Sequence, residues 1–248
     1  MTEEQKLAQL QEFTQQVYLT IYNRRIDNIT DADGLEEVQK VLIYCNLFLD
    51  ELEQETDPSG FPINWKYLRE NDKEIGTIAG VSDTFDLPTG ALRLVAVPHR
   101  PLHIDQDGTP VSLWDVVDPN FITTRLDYMT GSKRVTYVNQ KIVFSRRLED
   151  TEIGGTVNAD IVNSFTRLVY DTTGGHNTDL FDLPIPRQLL VLGTAKNASL
   201  PDIVQGGLSP SYAQKYAALL EGHKMANMES SGPEEADRDD YSDIGGTW

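Results

Sequence analysis

Two histidines four residues apart, His99 and His103, followed by Asp105 and Asp107, are the first side chains in this sequence whose types could do chemistry. Imidazole and carboxylate together can ligate a divalent metal or pass a proton. On a helix such an i, i+4 pair would converge on one ion. Here Pro98 and Pro101 break the run into extended pieces, the two rings cannot meet that way, and no metal site is expected. Asp105, Asp107 and Gly108 imitate the opening of a calcium loop, but the twelfth loop position, which must supply a bidentate carboxylate, is Val116. Asp107-Gly108 reads instead as a hairpin turn.

Other candidates fall in the same way. The run DTTGGHNTD from Asp171 to Asp179 has glycines that could present backbone amides to a phosphate, yet Asp stands at both ends and no basic residue accompanies it, so it reads as a loop. GxxxxGK[ST], GxGxxG after a strand, HExxH, CxxC and GxSxG do not occur, so neither catalytic residues nor a cofactor are expected. His176 and His223 are isolated and read as surface or packing residues. The basic pairs Arg24-Arg25, Lys133-Arg134 and Arg146-Arg147 are too dispersed for a nucleic-acid footprint and are expected to meet acidic surfaces of neighbouring subunits or solvent. Cys45 lies in an apolar helical run and reads as a small core residue. The terminal Tyr241, Ile244 and Trp248 carry more weight. Aromatic anchors at the end of an acidic tether are the residue types that dominate interface hot spots, and they are expected to dock on a partner.

With 248 residues and 39% hydrophobic content, the chain can bury a core. It has no apolar run long enough to span a bilayer, and its polar opening MTEEQKLAQLQ lacks the basic and apolar parts of a signal peptide; a protein kept in the cytoplasm, with no membrane, is expected. A formal charge of −18 argues against a grip on nucleic acid and suits a surface that DNA merely passes.

The elements follow from periodicity. Leu10, Phe13, Val17 and Ile21 predict a first helix; Leu35, Val38, Leu42, Cys45, Leu49 and Leu52 predict a second, ending before Asp57-Pro58-Ser59-Gly60. From Asn64 the period becomes two. Strands are expected at Ile75 to Ala79, within Phe85 to Ile104, at Val111 to Val117, in the hairpin Arg134 to Arg146 about Asn139-Gln140, and at Ile161 to Tyr170. Helices return with Leu189, Leu190, Leu192 and Ala195, and with Tyr212, Tyr216, Leu219 and His223 after Ser209-Pro210. Residues 229–248 hold six of the eighteen net negative charges and predict a disordered, extended tail. The expected organisation is α+β: N-terminal helices (1–62), a small central antiparallel sheet or barrel-like sandwich (63–172), C-terminal helices (173–228) and the extended acidic tail (229–248).

In order along the chain, the helix pair, the DPSGFPINW passage, LPTGALRLVAV, VTYVNQKIVFSR, FDLPIPRQLLVLGTAKNA and SPSYAQKYAALLEGHKMAN followed by a tail resemble the head-to-tail adaptor, or connector, of tailed bacteriophages, the tail tubular protein A type. The resemblance implies a helical bundle built from the N- and C-terminal helices with a small central antiparallel β-domain, and it implies a structural virion protein and no enzyme. Twelve copies would form a ring at the neck, joining the portal protein to a downstream tail component (nozzle, tail tube or tail terminator), with double-stranded DNA passing through unbound. It further implies that the tail docks on the portal, and Tyr241, Ile244 and Trp248 are then the anchors. Two readings stand beside it: another neck ring such as a tail terminator, and a cytoplasmic enzyme or ligand-binding protein with a site in the β-domain near His99, His103 and Asp105.

Overall fold

The computed structural model describes residues 3–27, 32–58, 60, 62–80, 84–95, 101–117, 133–169, 183–199 and 208–229. The chain divides into two compact units, Met1–Ile63 with Phe165–Met228 and Asn64–Ser164 with Glu229–Trp248.

The first unit holds four helices: α1 (Glu3–Tyr22), α2 (Ala32–Gln54), α3 (Arg187–Ser199) and α4 (Pro210–Asn227). The stripes read from the sequence are the buried ones, Leu10, Phe13 and Val17 on α1 and Val38, Leu42, Cys45, Leu49 and Leu52 on α2. The turn after α1 is fixed by Gln15, whose Nε2 donates to Ile26 O at 2.9 Å and whose Oε1 accepts from Ile26 N at 3.1 Å. Helix α3 is buried on nearly every side, from Leu189 through Ala195, and touches each of the other three. A helix apolar or small all round belongs in the middle. Gly193 sits where α3 meets Phe48 of α2, and a Cβ there would lie 2.5 Å from the ring.

After the second unit's last strand, the chain returns as an extended piece clamped along α2. Asn46 donates to Leu168 O and accepts from Leu168 N, both at 2.9 Å. Glu53 accepts from Phe165 N at 2.6 Å and takes both guanidinium nitrogens of Arg167, at 2.9 and 2.8 Å, while Asp50 pairs with the same guanidinium. The strand expected at Ile161 to Tyr170 is therefore two things, the end of a strand and this clamped segment.

The second unit is a sheet. It carries β1 (Asn64–Trp65), β2 (Arg69–Thr77), β3 (Thr84–Asp86), β4 (Ala91–Leu94), β5 (Leu102–Gln106), β6 (Thr109–Val116), β7 (Arg134–Val138), β8 (Lys141–Phe144) and β9 (Thr156–Asn163). Eight of these form one sheet in the order β2-β9-β5-β6-β7-β8-β3, with β4 also paired to β9. Both predicted hairpin turns form. Asp107-Gly108 and Asn139-Gln140 each place two successive residues at positive φ, 51° and 77°, then 51° and 63°, the left-handed turn that matches strand twist. The sheet's core includes Leu94, Leu102, Ile104, Trp114, Ile142, Phe144, Val157 and Ile161, with the Trp114 and Phe144 rings edge to face at 4.8 Å.

The expected architecture is overturned. In place of a helical bundle bearing a small central antiparallel β-domain, the chain has four helices and a large mixed sheet that curls into a half-barrel. Two physical causes account for the error. Strand β2, RENDKEIGT, is exposed over most of its length and shows no apolar alternation, as suits a charged sheet edge. The pairing of β6 with β7 is parallel, Asp115 against Arg134 and Val116 against Val135, and a parallel partner leaves no local mark in sequence.

Candidate functional site

The predicted portal anchors Tyr241, Ile244 and Trp248 lie outside the described residues, as do His99, His176 and the 171–179 run. His103 and Asp105 are described, one pleat apart on β5. His103 Nε2 lies 3.2 Å from Asp72 Oδ1 and 3.4 Å from Asp105 Oδ2, and Asn158 Nδ2 of β9 donates to the same Asp105 oxygen at 3.2 Å. Asp72 occupies a left-handed position, φ 54°, in a bulge of β2; its amide donates to Asp160 Oδ1 at 2.8 Å, and Asp160 also pairs with Arg69 at 2.5 Å. The result is a polar strip tying β2, β9 and β5 together. Among the described residues the imidazole's two ion-pair partners are carboxylates, both at Nε2. Among the described residues no three His, Cys, Asp or Glu side chains group as metal ligands. The calcium-loop imitation at Asp105–Gly108 is the β5–β6 turn.

A second cluster was missed by sequence reasoning. Glu152, 1% exposed, projects from the loop between β8 and β9. Its carboxylate accepts from Ser112 Oγ at 2.6 Å, from the Glu149 amide at 2.7 Å and from Arg146 Nη1 and Nη2 at 3.2 and 3.3 Å, with Lys133 Nζ at 3.4 Å. Burial pushes the Glu152 carboxyl up, but Ser112, the Glu149 amide and Arg146 outweigh it and hold the group below the ordinary carboxylate range. Arg146 and Lys133 also stand over the Trp114 ring, 4.8 and 5.9 Å from its centre. Two of the three basic pairs thus contribute a cation to this internal network, contrary to the expectation that they face neighbouring subunits or solvent. The function of the cluster is to hold the β8–β9 loop against the sheet. No spacing in the sequence marks it, because Ser112 and Glu152 are 40 residues apart.

The helical unit presents exposed apolar surface. Helix α4 buries one of its 18 residues, His223, and its Met225 is 74% exposed. On α2, Ile43 and Leu47 stand one turn apart at 60% and 47% exposure. Tyr216 attaches α4 to the rest through an edge-on contact with Phe48 at 6.2 Å, and Lys224 ion-pairs with Glu55 at 2.5 Å. Between α1, α3 and α4 lies a cleft of about 470 Å³ whose lining includes Gln16, Arg187, Val191, Tyr212 and Lys215. Cys45 is buried as expected, and burial pushes its thiol up to about 12.

His223 makes the seating of α4 sensitive to acid. Burial lowers its pKa below the usual imidazole value, so the ring is neutral in the fold, with Nδ1 3.1 Å from Asn227 Nδ2. The unfolded chain then binds more protons than the folded one below about pH 6.5, and stability falls as pH drops through that region. Thermal melts at pH 7.5 and 5.5 are expected to show this loss, and His223→Gln is expected to diminish the difference between the two.

No protein-family model matches the chain, and no curated protein matches it.

Proposed function

We propose that this chain is a structural subunit of a bacteriophage head-to-tail adaptor, a dodecameric ring at the neck of the virion that joins the portal to the next tail component. The observation that carries the reading is α4. In water, helices owe most of their stability to a packed apolar face, and a helix of 18 residues with one buried side chain has most of that packing still to make. Ile43, Leu47 and Met225 add apolar area that association would cover. Assembly into a ring supplies the missing partner, and the ordered series of segments from DPSGFPINW to SPSYAQKYAALLEGHKMAN gives the reason for placing that ring at the neck.

The charge of −18 fits the same role. A wall of this sign repels the duplex and leaves it free to slide, so DNA is a passenger and not a ligand. Among the described residues no helix is long and apolar enough to cross a membrane. The chain carries out no reaction in this role and needs no cofactor.

A direct test is labelling in place. Particles assembled with an epitope-tagged copy of the chain are expected to bind gold-conjugated antibody at the head-tail junction. Label over the capsid surface or tail tip, or none in purified particles, would sink the proposal. A second reading has the His103 cluster in its favour: a ligand-binding protein or enzyme with its site on the sheet. That reading requires His103→Ala to abolish function with the fold intact, whereas an adaptor bearing the same change still assembles.

A further inference from the structure

The cleft between α1, α3 and α4 has no part in the reading above, yet its lining suits one kind of guest. Val191 and Leu192 form its most buried wall, and Tyr212 stands partly exposed beside them. Arg187 and Lys215 bring positive charge to the same space. Arg187 is braced, its Nε donating to Gln16 Oε1 at 3.2 Å and its Nη2 lying 3.1 Å from Glu12, while Lys215 is exposed on α4. The apolar wall can take an aromatic ring and the cations can take carboxylates beside it. At about 470 Å³ the space falls within the roughly 300–1,000 Å³ of cavities that enclose groups of this size.

In a chain of net charge −18, such a cleft complements the chain's own acidic surface. One stretch has the full chemistry. Residues 230–248 carry carboxylates from Glu234 to Asp243 against the single cation Arg238, with Tyr241 among them and Ile244 and Trp248 after them. Extended at about 3.3 Å per residue, the chain beyond Glu229 reaches on the order of 60 Å, enough to leave one subunit and arrive at the next. We infer that the cleft receives the acidic aromatic C-terminal segment of a second copy, with an aromatic side chain against Val191 and Leu192 and flanking carboxylates on Arg187 and Lys215. The inference rests on the assembly reading in one respect, that copies come together, and it gives Tyr241, Ile244 and Trp248 a neighbouring subunit as their partner.

The test uses the full-length chain carrying Tyr241→Ala and Trp248→Ala, so that its own C-terminus cannot fill the cleft. A fluorescein-labelled peptide of residues 230–248 is titrated into it, and the unaltered full-length chain is sedimented over a range of concentrations. Saturable binding is expected, weakened by salt and reduced roughly tenfold or more by adding Lys215→Glu. Self-association of the unaltered chain is expected to rise with concentration and to disappear in the double-alanine chain. Equal melting temperatures show that Lys215→Glu has not unfolded the protein; should they differ, Lys215→Gln replaces it. Absence of binding, or binding indifferent to Lys215, overturns the cleft as the receptor. Peptide binding by a chain that remains monomeric at every concentration overturns a second copy as the source. The portal is in neither measurement, so failure here is distinct from failure of the adaptor reading.

Discussion

Replacing Glu152 by Ala is expected to cost the sheet unit about 1–3 kcal/mol, the usual penalty for removing a buried acceptor from the donors that depend on it. The reason is geometric. Glu152 is 1% exposed, and its two oxygens accept from a hydroxyl, a backbone amide and a guanidinium while a lysine ammonium stands 3.4 Å away. Removing the carboxylate takes the acceptor from Ser112 and Lys133, leaves Arg146 paired with Glu149 at 3.2 Å, and frees the loop whose Gly154 amide donates to Ile78 O at 2.9 Å. Gln in the same place keeps an acceptor for Ser112 but not the charge, so Glu152→Gln is expected to fall between wild type and Ala. The pH dependence has a definite sign. The folded carboxyl titrates below its unfolded value, so its contribution is complete above about pH 4.3 and is lost as pH falls through the folded value. Urea melts of the three proteins at pH 7 and pH 3 check both statements; if Glu152→Ala costs less than about 1 kcal/mol, comparable to an exposed pair, the network is not the brace described.

Gly193→Ala is expected to destabilise the helical unit by about 1–3 kcal/mol, although Ala is the better helix former by about 1 kcal/mol. Local propensity and packing here predict opposite signs. An added Cβ would lie 2.5 to 2.6 Å from three atoms of the Phe48 ring, and Phe48 is fully buried, so it has no room to retreat. Gly222 on α4 is the internal control. Nothing lies within 4 Å of a Cβ built there, and Gly222→Ala is expected to stabilise by up to about 1 kcal/mol. Chemical denaturation of the two variants measures both effects. The same sign for both would mean that α3 does not meet Phe48 as closely as the geometry says.

These two positions show what sequence can and cannot convey. Helical stripes such as Leu10-Phe13-Val17 are legible because each apolar residue faces the core through its own backbone period. The turns at Asp107-Gly108 and Asn139-Gln140 are legible because few residue types accept two successive left-handed conformations. Strand β2 is not, since an edge exposed over most of its length carries charges where alternation would be. Arg93 on β4 is a charged residue that is nonetheless buried, with Nε donating to Asn64 Oδ1 at 3.2 Å. Glu152 and the cleft depend on residues brought together from distant parts of the chain, and neither could be read from spacing. Gly193 looks like an ordinary helix residue until Phe48 is placed beside it. The docking role read for Tyr241, Ile244 and Trp248 falls outside the described residues, and binding is what tests it.

The adaptor reading is tested most directly by mixing the purified full-length chain with the portal ring encoded by the same genome and measuring the mass of what forms. One discrete complex is expected, heavier than the portal by about twelve copies of the 27.8 kDa chain, as the resemblance implies. A correctly folded portal ring that sediments at its own mass, with the chain remaining apart, would contradict it.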